Sequence, residues 1–297
     1  MVKFMSQDRV VIFGGNGYLG GELAKQLVSR NCNVIVADLN YSLGLPGITF
    51  AKVDITNPTQ VKAVIEPGDI VVNFAGIADL NKAREQPREC IEVNIAGNNN
   101  ILQACVERGV KKIGYASSAY VYSTHGSFYR ISKRTCEEYI LEYNKKYSIP
   151  YLLLRYGSLY GGNSHPSNGM HKILMQAMSE GKLSYDGNPS DSREFIHVSD
   201  ASEITADLLL GSEHDKAFLL TGLERFTMAE LFSLVEEILN KKLDIEFSCS
   251  SNSDHYKITQ YNFSPIQAKR ISKLAHVDLG NGIMELVNTL FIKNLKE

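Results

Sequence analysis

The strongest constraint on the fold is a glycine-rich turn between a short apolar run and a helix-forming stretch. The apolar run, residues 9–13, is rich in β-branched side chains, and residues 22–27 favour a helix. Gly14, Gly17 and Gly20 lie between them. Glycines let a backbone approach a pyrophosphate, and the first N–H groups of the helix attract its negative charge. We therefore expect a dinucleotide to contact Gly14, Gly17, Tyr18, Leu19 and Gly20.

The end of the next strand indicates which dinucleotide binds. A second apolar run, residues 33–37, is followed by Asp38. A carboxylate at this point can accept hydrogen bonds from both ribose hydroxyls of an adenosine. No arginine or lysine follows at once to bind a 2′-phosphate. The sequence therefore favours NAD over NADP as the cofactor.

Strand and helix patterns alternate from residue 9 to about residue 155. This alternation is typical of an α/β fold with a doubly wound parallel sheet, whose ligands lie beyond the carboxyl ends of the strands. We expect a Rossmann-type domain over residues 1–160 and, mainly over residues 161–297, a smaller substrate-binding lobe that partly returns to the first domain. Asp200 is expected to cap a helix beginning near Ala201 and is excluded from the site. Strands are predicted near 9–13, 33–37, 48–52, 69–74, 111–115 and 151–155, and later helices near 168–181, 200–211, 227–240 and 280–295.

Composition argues against several classes of function. Of the 297 residues, 44% are hydrophobic and 22% are charged, as in soluble globular proteins, and the longest apolar runs have the length of strands. A net charge of -2 offers no electrostatic footprint for nucleic acid. Without a signal-peptide stretch, the chain is expected to be cytoplasmic and to have no membrane partner. The spacing of the cysteines suggests neither a disulfide framework nor a metal site; they are Cys32, Cys90, Cys105, Cys136 and Cys249.

Two residues four apart, Tyr129 and Lys133, suggest a proton-transfer site. On a helix this spacing places both side chains on one face, where the ammonium can lower the pKa of the phenol and favour a phenolate. A phenolate can accept a proton from a hydroxyl group. The serine pair Ser117 and Ser118 precedes them and would complete the site, although such a tyrosine and lysine taken alone are more often a surface pair.

Ordered motifs along nearly the whole chain carry a resemblance to a known family. They are the glycine-rich turn, Asp38, Tyr129-x-x-x-Lys133 and the segments 54–55, 71–76, 93–97, 117–122, 154–161 and 193–200. In these motifs the chain resembles the extended short-chain dehydrogenase/reductases, in particular the NAD-dependent epimerase/dehydratase family that acts on nucleotide sugars. The resemblance implies an NAD-dependent enzyme whose substrate is a nucleotide-diphosphate sugar.

The resemblance also implies roles for the proton-transfer residues. Tyr129 would be the general base and acid, and Lys133 would both hold the nicotinamide ribose and tune Tyr129. Ser118 aligns with the catalytic serine of the family. Ser117 is the alternative if the register differs by one residue.

Further cofactor contacts follow from the same resemblance. Asp54 and Ile55 would flank the adenine, while Ala75 and Gly76 would bring the backbone near the phosphates and ribose. Asn94 is a candidate cofactor contact as well. A buried amide that satisfies backbone groups is the alternative for Asn94.

The substrate side shows both a match and departures. Arg193 would bind the diphosphate, because a guanidinium fork fits phosphate oxygens, and Ser117 and Ser118 would contact the sugar. Ser158 stands where many relatives have a substrate-contacting asparagine. The loop 123–128 is much shorter than the sugar-contacting loop of relatives, so we expect a differently built pocket.

These observations favour transient oxidation of a sugar carbon. Tyr129 would remove the C4 hydroxyl proton while hydride passes to the nicotinamide, and hydride return to the other face of the 4-keto sugar would give the C4 epimer. Water loss is disfavoured, because 4,6-dehydratases carry an Asp-Glu pair where this chain has Ala119 and Tyr120. The alternatives are an NAD(P)H-dependent reductase of keto sugars and, from another class, a non-catalytic NAD(P)-binding sensor.

Two helices predicted near 87–108 and 127–147 carry more apolar and aromatic positions than one core face needs. In the resembled family, the corresponding helices pair in a dimer. We therefore expect a homodimer through these helices. The alternative is that they only cover the sheet.

Overall fold

The computed structural model of the chain describes residues 8–40, 44, 46–248, 268–273 and 275–294. The strands in these residues are β1 (Arg9–Phe13), β2 (Asn33–Asp38), β3 (Ile48–Lys52), β4 (Ile70–Asn73), β5 (Lys112–Ser118), β6 (Tyr151–Tyr156), β7 (Ser158–Tyr160), β8 (Lys182–Asp186), β9 (Ser192–His197), β10 (Lys216–Leu220), β11 (Arg225–Thr227), β12 (Asp244–Ser248) and β13 (Lys269–Ile271). The helices are α1 (Tyr18–Ser29), α2 (Pro58–Val64), α3 (Leu80–Glu85), α4 (Pro87–Cys90), α5 (Gly97–Arg108), α6 (Ser127–Tyr147), α7 (Gly169–Glu180), α8 (Val198–Leu210), α9 (Met228–Leu239) and α10 (Leu279–Asn294). A π-helical turn, Ile91–Ala96, joins α4 to α5, and a 3₁₀ turn, Ala119–Tyr122, follows β5.

The main sheet is parallel and covered on both faces. Its strand order is β3-β2-β1-β4-β5-β6-β10-β13, and every neighbouring pair is parallel. Apolar side chains alternate between two cores, one under α1 and α8 and the other under α2, α5 and α6. Each predicted strand forms in this sheet. The doubly wound α/β fold is confirmed.

Strand β5 continues three residues beyond the predicted end at residue 115 and includes the serine pair. The alternation of side chains places Tyr115 in the core under α5 and α6. Ser117 is two residues further on and has the same direction. The serines therefore belong to the sheet's carboxyl edge rather than to the loop after it.

Most elements in the C-terminal half of the chain form a smaller lobe with its own hydrophobic core. It contains the three-stranded sheet β11-β9-β7, the pair β8-β12 and the helices α7, α9 and α10.

The expectation that Asp200 caps a helix is wrong. Helix α8 begins at Val198, and the His197 side chain caps it by accepting from the Ser199 N–H. Asp200 lies in the first turn and accepts from the Val277 N–H at 2.9 Å.

The helix predicted near 87–108 forms as α4, the π-helical turn and α5 in series. No helix in the described residues is long and apolar enough to cross a membrane. A search of the same residues finds no group of three His, Cys, Asp or Glu side chains that could hold a metal ion. Four cysteines are free and buried, and Cys249 lies outside the described residues.

Candidate active site

The glycine-rich turn fits between β1 and α1 because it leaves no room for side chains. Gly14 has a φ of +74°, and a Cβ there would lie 2.5 Å from the backbone nitrogen of Ala75. A Cβ on Gly20 would lie 2.4 Å from the carbonyl oxygen of Gly14. Gly17 is the N-cap of α1 and offers no side-chain hydrogen bond, so the first N–H groups of the helix have no side-chain cap. This turn can accommodate a pyrophosphate.

Asp38, at the end of β2, is hydrogen-bonded to this turn. Its Oδ2 accepts from the Asn16 N–H at 2.9 Å, and its Oδ1 accepts from the Leu39 N–H at 2.7 Å. Each carboxylate oxygen can accept a further hydrogen bond, so the half-buried side chain can still bind ribose hydroxyls. Tyr18 and Leu19 open α1 at the same turn, and the enclosed Tyr18 hydroxyl has no hydrogen-bond partner.

Gly76 brings the loop after β4 against the buried side chain of Asn94. Gly76 has a φ of +152°, and a Cβ there would lie 2.8 Å from Asn94 Oδ1. The Asn94 amide accepts from the Ile77 N–H at 2.7 Å and donates to the Ile77 carbonyl and the Ser132 hydroxyl, each at 3.0 Å. Asn94 therefore ties the π-helical turn to this loop and to α6. This agrees with the alternative that Asn94 is a buried amide that satisfies backbone groups. A contact of Asn94 with the cofactor stays a prediction.

The other predicted cofactor residues lie in loops after β3 and β4. The Ala75 N–H donates to Asn73 Oδ1 at 2.9 Å, which fixes the backbone beside the glycine-rich turn. Asp54 Oδ1 accepts from the N–H and the hydroxyl of Thr56 at 2.9 and 2.7 Å. Ile55 is buried in the core beside α5. Contacts of Asp54 and Ile55 with adenine stay predictions.

Lys133 is a buried cation at the centre of the site. It is 6% exposed, and its Nζ donates to the carbonyl oxygen of Ala116 in β5 at 2.7 Å. The same nitrogen lies 5.7 Å from the ring centroid of Tyr129 and 4.9 Å from that of Tyr115. Burial lowers the pKa of Lys133 to about 8, because removal of water disfavours the charged form. The predicted pair is thus brought together on α6 with the ammonium beside the phenol ring.

The short loop 123–128 packs against the neighbour of Tyr129. The rings of Tyr120 and Tyr129 meet edge to face with centroids 6.0 Å apart. Gly126 has a φ of +99°, and a Cβ there would lie 2.6 Å from Tyr120 Cδ1. The loop backbone therefore lies directly on the Tyr120 ring. Tyr120 therefore lies between the short loop and the Tyr129 ring, and a differently built substrate pocket stays a prediction.

The two serines differ in their hydrogen bonds. Ser118 Oγ accepts from the Tyr120 N–H at 3.3 Å and caps the 3₁₀ turn. Ser117 is 3% exposed, and its hydroxyl has no hydrogen-bond partner among the residues that the structure describes. Ser117 also has the side-chain direction of Tyr115, towards α6. Both serines stay candidates for the hydroxyl that contacts the substrate.

The predicted substrate residues Arg193 and Ser158 lie in the smaller lobe. Ser158 in β7 pairs with Phe195 in β9, so it sits two residues from Arg193 in strand register. Arg193 is 7% exposed and donates to the Tyr185 hydroxyl at 2.9 Å and the Ser192 carbonyl at 3.1 Å. Burial raises the pKa of Tyr185 to about 12, so this hydroxyl stays neutral. Arg193 is a buried guanidinium in this lobe, and its binding of a diphosphate stays a prediction.

Sequence reasoning missed a buried ion pair behind the site. Arg155 donates to Glu137 Oε1 at 2.9 Å and Oε2 at 2.8 Å, and to the Tyr122 hydroxyl at 2.7 Å. It joins β6, α6 and the 3₁₀ turn that precedes the short loop. Glu137 and Arg155 are 18 residues apart on different elements, so no local spacing signalled this pair.

The described residues fit an NAD molecule at the carboxyl edge of the sheet. The glycine-rich turn and open helix terminus suit its pyrophosphate, Asp38 suits its adenosine ribose, and Lys133 suits its second ribose. When bound, NAD supplies a hydride acceptor and donor. The protein supplies Tyr129 as the group that exchanges a proton with a substrate hydroxyl.

The chain is similar to known proteins. The model of the family described as "NAD dependent epimerase/dehydratase family" matches residues 10–217, more than half of the chain. A UDP-N-acetyl-alpha-D-glucosaminuronate decarboxylase of Bacillus cytotoxicus is 28% identical, over 71% of this chain and 77% of its own. A UDP-glucuronate 4-epimerase of Thermodesulfobacterium geofontis is 23% identical, over 80% of this chain and 78% of its own.

A solved structure has the same fold. It is the UDP-glucuronic acid 4-epimerase of Bacillus cereus in complex with UDP-glucuronic acid and NAD. Its TM-score is 0.81 at 20% identity, over 97% of this chain and 99% of its own. The chain belongs to the NAD dependent epimerase/dehydratase family of extended short-chain dehydrogenase/reductases, which confirms the predicted family, its NAD cofactor and its enzymatic character.

Proposed function

We propose that the protein is an NAD-dependent 4-epimerase of nucleotide sugars. The observation that carries this proposal is the Lys133 ammonium, held between Ala116 and the Tyr129 ring beside a turn shaped for a dinucleotide. This arrangement supports oxidation of a secondary alcohol. Relatives named as 4-epimerases support reversal of that oxidation at the same carbon.

In the proposed mechanism, Tyr129 would accept the proton of the C4 hydroxyl during oxidation of C4 and would give it back during reduction from the other face of the 4-keto sugar. Lys133 would stabilise the phenolate and hold the nicotinamide ribose, and Ser118 would orient the hydroxyl, with Ser117 as the alternative. Bound NAD would supply the hydride acceptor and donor. Because the cofactor ends each cycle in its starting form, no net NADH forms.

A UDP-sugar is the proposed substrate. The relatives above are named for UDP-linked sugars. Arg193 supports binding of the diphosphate, because a guanidinium fork fits phosphate oxygens. Ser158 and the short loop 123–128 support a sugar pocket that differs from that of typical relatives.

A homodimer through the π-helical turn and α6 belongs to the same proposal. Apolar side chains on this face are exposed, including Ile91 at 55%, Tyr139 at 47% and Tyr147 at 46%. Tyr143 packs against Tyr147 and donates to Asn99 Oδ1 at 2.9 Å, so α5 and α6 form one continuous surface. Such a patch is typical of a protein interface.

The test is incubation of the purified protein with UDP-glucose, UDP-glucuronic acid and UDP-N-acetylglucosamine, with and without added NAD. The proposal predicts an isomeric UDP-sugar without net NADH. Stoichiometric cofactor consumption would indicate a reductase or dehydrogenase, and release of carbon dioxide from the uronic acid would indicate a decarboxylase. Tight NAD binding without turnover of any sugar would favour the sensor.

A further inference from the structure

A fully buried tyrosine, Tyr115, lies beneath the ammonium of Lys133. Tyr115 is 2% exposed and projects from β5 towards α6. Lys133 Nζ lies 4.9 Å from its ring centroid, closer than the 5.7 Å that separates Nζ from the Tyr129 ring. The ammonium therefore sits between two aromatic rings. Its one protein hydrogen bond among the described residues is to Ala116.

The Tyr115 ring is held in place by packing between β5 and α6. It lies in the same core as Cys136, which follows Lys133 by three residues on α6. The Cys136 thiol donates to the Asn94 carbonyl oxygen at 3.2 Å and so ties α6 to the π-helical turn. The packing of these elements keeps the Tyr115 ring beside Lys133.

The other groups that face Lys133 give the ammonium little support. Cys90 on α4 and Cys136 on α6 face it, and burial raises the pKa of the Cys136 thiol, which favours its neutral form. Glu137 is the charged neighbour, but both of its oxygens accept from Arg155, which balances its charge. A desolvated ammonium is stabilised by the negative face of an aromatic ring. Tyr115 supplies that face.

We propose that Tyr115 is a positioning residue whose ring face keeps the Lys133 side chain charged and aimed at Tyr129. This proposal rests on Tyr129 and Lys133 acting as the proton-transfer pair described above. Without the ring face, Lys133 would lose its proton at a lower pH. The neutral amine would no longer stabilise the Tyr129 phenolate.

The test replaces Tyr115 with phenylalanine and then with mono-, di- and trifluorophenylalanine. Fluorination cancels the negative face of the ring step by step while its shape is nearly kept. The readout is the pH midpoint of Lys133 in the NAD-bound protein, followed by NMR of lysine labelled at Cε and assigned with Lys133→Met. We expect the midpoint to fall stepwise, by about one pH unit across the series, and the alkaline limb of the kcat profile to follow it.

Controls separate this role from simple packing. Tyr115→Phe keeps the ring face and is expected to titrate close to wild type, whereas Tyr115→Leu is expected to match the trifluorinated variant. Tyr156→Leu removes a tyrosine of similar burial from the opposite core and is expected to leave the Lys133 midpoint unchanged. A midpoint that stays constant across the fluorinated series would overturn the proposal. Because NMR reads Lys133 directly, that result would be distinct from absence of epimerase activity.

Discussion

Replacing Glu137 with glutamine tests how far the active-site helix depends on its buried ion pair. The side chains of Glu137 and Arg155 are 6% and 3% exposed, and their charges meet at 2.8 Å. The guanidinium also donates to the Tyr122 hydroxyl. Glutamine keeps the volume of the side chain. It removes the carboxylate charge that faces the buried Arg155 guanidinium.

Removing one partner of a buried pair costs about 3–5 kcal/mol, because the remaining charge is neither solvated nor compensated. For a chain of this size, roughly 2 °C of Tm accompanies each kcal/mol, so the Tm of Glu137→Gln should fall by about 6–10 °C. Thermal unfolding followed by circular dichroism measures this. Since the pair anchors the helix that carries Tyr129 and Lys133, kcat should fall as well.

Two controls make the result specific. Glu92→Gln breaks an ion pair with Arg88 whose side chains are 55% and 92% exposed, and its Tm should stay within about 1 °C of wild type. The double variant Glu137→Met/Arg155→Met removes both charges and should cost less stability than Glu137→Gln, because no buried charge is left uncompensated. The reasoning is refuted if Glu137→Gln unfolds within about 2 °C of wild type, or if the double variant is the less stable of the two.

Three further predictions concern the cofactor, the catalytic lysine and the interface. Gly20→Ala should weaken NAD binding by at least about tenfold in calorimetry, because its Cβ would lie 2.4 Å from a carbonyl oxygen of the same turn; Gly169→Ala, with open space around its Cβ, should bind as wild type. Lys133→Met should abolish turnover yet stabilise the NAD-free protein at pH 7 by up to about 3 kcal/mol, because burial lowers the pKa of Lys133 to about 8 and its charged form costs stability below that pH. Between about pH 8 and pH 10.5 Lys133 is protonated in the unfolded chain but neutral in the folded one, so the stability of wild type rises with pH. The stability difference between Lys133→Met and wild type should therefore vanish near pH 10.5. Equal stability of the two proteins at pH 7 would contradict this prediction. Tyr147→Glu should give monomers in sedimentation, whereas Phe291→Glu, on the exposed face of α10, should have the oligomeric state of wild type. An unchanged oligomeric state in Tyr147→Glu would contradict the proposed interface.

The parallel sheet could be predicted from the sequence because its signals are local. The β-branched runs, the glycine-rich turn and Asp38 each report on a few neighbouring residues, and the structure joins them at one sheet edge. The end of β5 was harder. Ser117 and Ser118 have weak strand propensity, but pairing with Arg155 and Tyr156 in β6 extends the strand through them.

The support of the site could not be predicted, because it depends on distant segments. Tyr115 reads as an ordinary core residue of β5 until α6 places Lys133 over its ring. Asp200 has the residue type of a helix cap, yet tertiary packing starts α8 at Val198 and turns the carboxylate towards Val277. Local propensity shows which roles a residue type can have, and long-range contacts decide which of these roles it takes in the fold.

The most direct test of the account is turnover of UDP-sugars carrying deuterium at C4. If hydride leaves C4 and returns to the same carbon, the epimeric product keeps the deuterium at C4 and no net NADH forms. Tyr129→Phe should bind NAD normally and form almost no product. An epimer whose deuterium has been lost to water would contradict the account, as would full activity in Tyr129→Phe.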